Sequence, residues 1–395
     1  MRVFLPPFVT AVGVIAGMII GSGVFALPYA VSRSGLGWSL ASALVAFFAI
    51  LWIHGAYGEI AANSSEDHRL PGYVRAHIGA AFGRIETAAQ IFAFNAILLV
   101  YAILGGKFIS AIFGNASNGT LLFFAASAAI FLFGTIRTIG FLNFILSMPL
   151  IAATLWISWL ALHYGSVPNI INIQGGAPFF SFSVFLFSLA GLSVIADAKG
   201  VFAPLETKSL TGFATSENLF DRRRGLRSAI TAGTTLPFVL YIFFIVAVLA
   251  LSGSAVTEEA LEGLRQAVGD GVVRVGSFVG LLAVFTSFLA LGYDLRKVYE
   301  LDMRIPSFLS VVLVIATPLL LFIAGLVNFI ALMSLVGGFF VALDGIFVVL
   351  ILRAMRRKGL ITHPLVPFPL AVQVALIVLF AASALYEFLF QALSL

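Results

Sequence analysis

The residues most able to do chemistry lie inside an apolar run: Gly17-Met18-Ile19-Ile20-Gly21-Ser22-Gly23-Val24-Phe25-Ala26-Leu27-Pro28. Gly-Ser-Gly holds a helix poorly, and Pro28 removes a backbone donor about one turn further on. The pattern predicts a helix interrupted near the middle of the run. The interruption frees N–H groups at the start of the outer half-helix, where the dipole is positive, and carbonyls at the end of the inner half. The donors suit a carboxylate and the carbonyls suit a cation. Gly21, Ser22, Gly23 and Val24 are therefore candidate binding positions. For Gly17 alone, close helix packing through a small residue is the preferred reading.

A second, weaker interruption is expected where Phe187-Ser188-Leu189-Ala190-Gly191-Leu192-Ser193 crosses the middle of another run. Phe187, Ser188, Gly191 and Ser193 would then shape a pocket without any charged residue, which selects a neutral ligand. Thr286 and Ser287, beside Ala283, offer two adjacent hydroxyls to a hard cation; bonding to their own helix is the plainer alternative. Asp344, Lys107, Asp197 and Lys199 also fall within apolar runs, where a charge faces a cavity or a partner. Asp344 and Lys107 are candidates for carrying a proton, although Lys107 could simply reach outward to water. Asp197 and Lys199 could be ordinary residues of a cytoplasmic gate. Glu59 and Arg137 sit at helix ends, where they could pair to close such a gate or stand as plain interfacial charges.

Other chemistries find no footing. There is no cysteine, hence no disulfide and no thiol nucleophile. His54, His68, His77, His163 and His363 are scattered without metal-ligand spacing. No nucleotide-binding loop or hydrolase signature occurs, so neither an enzyme nor a bound cofactor is expected.

These positions must be held by membrane-length helices. The chain has 395 residues, 61% of them hydrophobic and 10% charged, with mean hydropathy +1.11. A soluble domain carries about 25% charged residues. Runs of the roughly 20 residues needed to cross a bilayer lie near 8–32, 36–62, 86–112, 119–135, 139–163, 179–203, 228–252, 272–294, 307–326, 328–353 and 366–390. About eleven transmembrane helices in one domain follow. With the N-terminus in the cytoplasm, all of the 22 Lys and Arg residues except Arg33, Lys107, Arg265 and Arg274 fall on the cytoplasmic side. That asymmetry obeys the positive-inside rule. It also explains the net charge of +5 without a nucleic-acid partner, because the basic residues sit in short loops. The N-terminus lacks the form of a cleaved signal peptide. The segment 253–271, with Glu258, Glu259, Glu262 and Asp270, reads as a short amphipathic helix on the outer side.

The motif GMIIGSGVFALPYAVSRSG resembles the first helix of hydroxy/aromatic amino acid permeases. These belong to the amino acid/auxin permease branch of the amino acid–polyamine–organocation superfamily. Glu59 at the end of helix 2, Tyr101 in LLVYAILGG, Arg137 and Asn143 in GTIRTIGFLNFIL, LRSAITAGTTLPFVLY, and FTSFLALGYDL with Asp294 extend the resemblance over residues 10–355. Helix 6 departs from it, reading Phe187-Ser188-Leu189-Ala190-Gly191 where the family often has Phe-Gly-Phe-His. The resemblance implies an all-α membrane protein of the LeuT-type fold. Its inverted repeats would span about 8–163 and 179–353, with an extra helix at 366–390 and helices 1 and 6 discontinuous. It implies a secondary transporter in the inner (plasma) membrane that imports neutral amino acids, aromatic and hydroxy ones among them, by ion-coupled symport. Tyr101 would bind substrate. The carbonyls of Gly17, Ile20 and Ala283 would join Thr286 and Ser287 in a sodium site, while Asp344 or Lys107 would serve a proton. H+ and Na+ both stay open as the coupling ion, and a transporter-fold nutrient sensor is the alternative activity.

Overall fold

The computed structural model describes residues 6–64, 68–114, 118–133, 136–177, 179–202, 216–361 and 364–394. Within those ranges, the side chains of 132–148, 216–222, 301–302 and 390–394 lie outside the described set. Among the described residues every regular element is helical. Eleven helical spans follow one another among the described residues. Span 1 is Pro7–Ile19 (1a) plus Gly23–Ser34 (1b), span 2 Leu36–Ala62, span 3 Ala80–Phe113, span 4 Gly119–Phe133 and span 5 Ile136–Tyr164. Span 6 is Phe180–Leu189 (6a) plus Leu192–Phe202 (6b), span 7 Ser216–Ser252, span 8 Asp270–Lys297 and span 9 Ser307–Ile323. Span 10 runs from Phe329 to Arg357 through a π-helical stretch, Val336–Val341, and span 11 is Leu370–Ser394. By length and apolarity, seven described helices can each cross a membrane, and the bent span 1 makes an eighth. The remaining apolar helices are shorter in their described parts: Gly119–Phe131, Pro149–Tyr164 and Ser307–Ile323.

The packing follows a five-helix exchange. Span 1 packs on span 7, and span 6 packs on span 2. Span 5 packs on spans 7 and 8, and span 10 on spans 2 and 3, while spans 3 and 8 share the most extensive contact. Adding five to the number of each span maps one set of neighbours onto the other, which is the pattern of two inverted repeats. Span 11 stands outside the repeats, yet it is tied in by Glu387. That buried carboxylate accepts hydrogen bonds from Ser183 of span 6a at 2.5 Å and Ser334 of span 10 at 2.7 Å.

Charges grouped by the expected topology do find one another. On one face, the basic side, Arg69 meets Asp197 and Asp294, Arg356 meets Glu59, and Arg296 meets Glu300. On the opposite face, Lys107 meets Glu258 and Glu259, and Arg265 meets Glu262. The segment between spans 7 and 8 forms two short 3-10 turns, Gly253–Ala255 and Glu262–Leu264, and a four-residue helix, Arg265–Val268, in place of the single amphipathic helix expected.

Candidate functional site

Span 1a ends at Ile19. Ile20 is extended (ψ 92°), Ser22 stands at the N-cap position of the next helix without a side-chain capping bond, and the two halves of span 1 are bent by 54°. Pro28 lies inside span 1b. The glycines therefore make the break, and the proline only weakens the turn beyond it. Span 6 breaks at Ala190, also extended (ψ 135°), with Gly191 before the start of 6b. The first N–H groups of 1b and 6b have no intrahelical acceptor. Both breaks thus present donors at a positive dipole end.

The two breaks hold each other. Gly23 lies against Ser188: a Cβ on Gly23 would stand 2.6 Å from the Ser188 Cα, closer than real side chains come. Span 7 fastens both. The Tyr241 hydroxyl lies 2.5 Å from the carbonyl of Ile19 and 3.3 Å from that of Ser188, the carbonyls freed at the ends of 1a and 6a.

A cavity opens beside the breaks. Its walls are Phe94, Ile97 and Tyr101 of span 3, Ile50 of span 2, Phe187 of span 6 and Phe340 of span 10. Gly21, Ser22, Gly23, Ser188, Gly191 and Ser193 also line it. Val24 is buried beside them but is not part of the lining. The Tyr101 hydroxyl lies beside Ser22. Three buried polar atoms of lining residues have no hydrogen-bond partner among the described residues: Ser22 Oγ, His54 Nε2 and Gln90 Oε1. The other ring nitrogen of His54, Nδ1, faces Thr234 Oγ1 at 2.9 Å. Two sets of backbone donors, unpartnered polar atoms and aromatic walls can hold a small zwitterion with an apolar side chain.

The cavity reaches toward the basic side, where Tyr57, Arg69, Asp294 and Val298 line it. Arg69 donates to the carbonyl of Ser193 at 2.6 Å and pairs with Asp197 and Asp294 at 3.2 and 3.5 Å. Burial opposes the Arg69 charge, but the two carboxylates outweigh it and hold the guanidinium above its ordinary range. Toward the opposite face the way is blocked. Phe25 of span 1b packs edge-on against Phe108 of span 3 at 4.9 Å and Phe244 of span 7 at 6.0 Å. All three rings are buried, and Gly280 of span 8 lets Phe108 and Phe25 approach its backbone. Above them Lys107 binds Glu258 at 3.0 Å and Glu259 at 3.4 Å.

The other predicted positions fall as follows. Lys107 pairs with Glu258 and Glu259 and lies over the ring of Phe329, 4.6 Å from its centroid. Glu59 is matched with Arg356, at 2.7–3.0 Å, and with the N–H groups of Leu365 and Val366. Its expected partner Arg137 is on helix, with a side chain outside the described residues. Thr286 Oγ1 donates within its own helix, toward Leu282 and Ala283 carbonyls at 3.2 and 3.0 Å. Ser287 does face the break, its Oγ 3.4 Å from where a Gly21 Cβ would stand. Gly17, Ile20, Ala283, Thr286 and Ser287 all lie outside the lining of the cavity. Asp344 does line the cavity. Asp197 is half exposed and committed to Arg69.

Sequence reasoning missed Tyr241, His54, Glu86 and Arg69. Glu86 is wholly buried behind Asp344, within hydrogen-bonding reach of it. For His54 a signal existed: it is a lone polar residue in the middle of the span 2 run.

The model of the tryptophan/tyrosine permease family matches residues 6–170, the first five spans. A comparison with curated protein sequences finds no match. Among solved structures, the chain is similar to the manganese transporter of Eremococcus coleocola in complex with an aromatic bis-isothiourea substituted compound. The TM-score is 0.68 at 15% identity, covering 96% of this chain and 85% of that one. It is similar to Mhp1, a nucleobase-cation-symport-1 family transporter, closed with bromovinylhydantoin bound: TM-score 0.57, 15% identity, 96% and 92% covered. The inward-facing conformation of Mhp1 gives TM-score 0.62 at 16% identity, with 97% and 89% covered. The family matched over the first five spans is one of permeases rather than enzymes, and the chain is an all-helical integral membrane protein of the LeuT-type fold.

Proposed function

We propose that the protein is a secondary active transporter that takes up neutral amino acids with aromatic side chains by symport with protons. The observation that carries this reading is the cavity at the paired helix breaks. Donor N–H groups of spans 1b and 6b meet the substrate carboxylate near Gly21, Ser22 and Gly23. Tyr101 supplies a hydroxyl, and Phe94, Phe187 and Phe340 receive the ring. No lysine or arginine of the lining lies at the breaks; Arg69 stands at the mouth and is occupied by two carboxylates. That arrangement favours a net-neutral substrate. The similarity to tryptophan/tyrosine permeases over the first repeat supports the aromatic class.

The basic side is the cytoplasm in this reading, because it collects the lysines and arginines of an inner-membrane protein. The cavity then faces inward, with the Phe25–Phe108–Phe244 cluster closing the outside. Asp344 is the proton-carrying group nearest the substrate, and Thr286, with its hydroxyl bonded along its own helix, argues against a preformed sodium site. The test is uptake of labelled amino acids into liposomes holding the purified protein, with pH and sodium gradients imposed separately. Accumulation of tryptophan or tyrosine driven by an acid exterior in sodium-free buffer is expected. Uptake that follows only the sodium gradient would contradict the proton coupling.

A further inference from the structure

Span 3 starts at Ala80, so Glu86 lies almost two turns inside the helix. Its side chain is fully buried, and neither carboxyl oxygen has a donor among the described residues. Asp344 of span 10 faces it within hydrogen-bonding reach. Two ring contacts bracket the pair along the same helix seam: Phe82 with Phe347 at 6.5 Å on one side, and Phe92 with Phe340 at 5.4 Å on the other.

We propose that Glu86 and Asp344 form a carboxyl pair that binds one exchangeable proton, and that this proton is the coupling ion. The inference rests on the symport reading above. Ionised carboxyl oxygens only accept hydrogen bonds, so two of them in contact are bonded only when one carries a proton. Like charges in a dry setting also repel too strongly to share a site bare. The proton sits on one carboxyl and is donated to the other; it leaves through Asp344 to water in the cavity, which Asp344 lines and Glu86 does not. No bond other than O–H forms or breaks.

The charged neighbours are committed elsewhere. Tyr57 of span 2 lines the same cavity as Asp344, with Tyr73 of the Leu70–His77 helix against its ring. Arg69 is held by Asp197 of span 6 and Asp294 of span 8, and Arg356 of span 10 by Glu59. Among the described residues no Lys, Arg or His stands within ion-pair distance of either carboxyl. Gln90, one turn above Glu86, leaves its Oε1 without a partner and gives the proton no competing charge.

The pair is also connected to the substrate walls. Asp344 follows directly on the π-helical stretch Val336–Val341, a geometry that lets a helix change register locally. Gly337 in that stretch touches span 6 at Phe187: a Cβ there would stand 2.7 Å from the Phe187 N. Losing the proton sets two buried carboxylates against each other and drives spans 3 and 10 apart at the level of Phe187 and Phe340.

The full-length protein in liposomes tests this with labelled tryptophan in two assays. One is counterflow at equal pH, which needs no net proton movement. The other is accumulation driven by a pH gradient without sodium. Glu86→Gln is expected to keep counterflow while accumulation falls at least about tenfold. Asp344→Asn is expected to lose accumulation too. Accumulation by Glu86→Gln equal to the parent overturns the proposal. If the parent shows counterflow but accumulates only on a sodium gradient, the proton reading itself is wrong and the pair falls with it; if it shows neither, the transport reading fails first. Should Glu86→Gln not fold, infrared difference spectra of the parent with and without tryptophan decide. A carboxylic C=O band that shifts on binding, and is altered in Glu86→Asp, supports the pair; no such band refutes it.

Discussion

The Tyr241 hydroxyl lies 2.5 Å from the Ile19 carbonyl, and so it caps the end of the half-helix that precedes the break in span 1. The same oxygen is 3.3 Å from the Ser188 carbonyl at the corresponding place in span 6. One phenol on span 7 therefore joins the two discontinuous helices. Tyr241→Phe keeps the ring and removes the donor. Leaving a buried carbonyl unsatisfied costs about 1–3 kcal/mol. Thermal unfolding of the purified protein is expected to fall accordingly, with slower uptake; unchanged values for both would show that the bond is dispensable.

Gly21 and Gly23 differ in what surrounds them, and their variants should differ in kind. Gly23→Ala drives a methyl group into the Ser188 backbone, 2.6 Å away, and overpacking of this sort costs about 1–3 kcal/mol. Stability should drop, and adding Ser188→Ala should not restore it, because the Cα remains. Gly21→Ala meets nothing nearer than Ser287 Oγ at 3.4 Å and points toward the cavity. It is expected to raise KM with an unchanged unfolding temperature. Equal stabilities for the two variants would contradict this contrast.

The break in span 1 was legible because glycine states a backbone requirement by its identity. Tyr241 was not, because a tyrosine in an apolar run looks the same whether it caps a carbonyl or packs as a ring. Glu86 was hidden by a boundary. The apolar run begins near 86, but the helix starts at Ala80, and six earlier residues carry the carboxyl inward. Similarly, span 7 begins at Ser216 rather than near 228. Hydropathy marks where lipid contact begins, whereas helices extend into protein-covered turns that tolerate charge. The pairing of Glu59 with Arg356 joins positions almost three hundred residues apart, and no local spacing encodes it.

Glu59 is fully buried and holds the Arg356 guanidinium in a forked contact, together with two backbone N–H groups leading into span 11. Arg356→Ala leaves that carboxylate without its counter-charge, which costs about 3–5 kcal/mol when a buried pair is broken. Lysine cannot reproduce the fork, so Arg356→Lys should recover only part of the loss. Unfolding curves of both variants check this; full recovery by lysine would mean that charge alone matters.

At the closed face, Lys107 neutralises Glu258 and Glu259 above the Phe25–Phe108 contact. Lys107→Met should set the two carboxylates against each other and favour opening on that side. The chain has no cysteine, so a single Phe25→Cys reports access directly. Its labelling by a membrane-impermeant maleimide should be faster with Lys107→Met than without. Equal rates would assign the ion pair no part in closure.

The central claim is that an amino acid binds at the break in span 1. Equilibrium binding of labelled tryptophan, tyrosine and lysine to the purified protein and to Gly21→Leu tests it most directly. The account predicts that the parent binds tryptophan or tyrosine and not lysine. Gly21→Leu, unfolding at the same temperature as the parent, should lose at least about tenfold in affinity, or 1.4 kcal/mol. A stable Gly21→Leu protein that binds as tightly as the parent would place the substrate elsewhere and contradict the account.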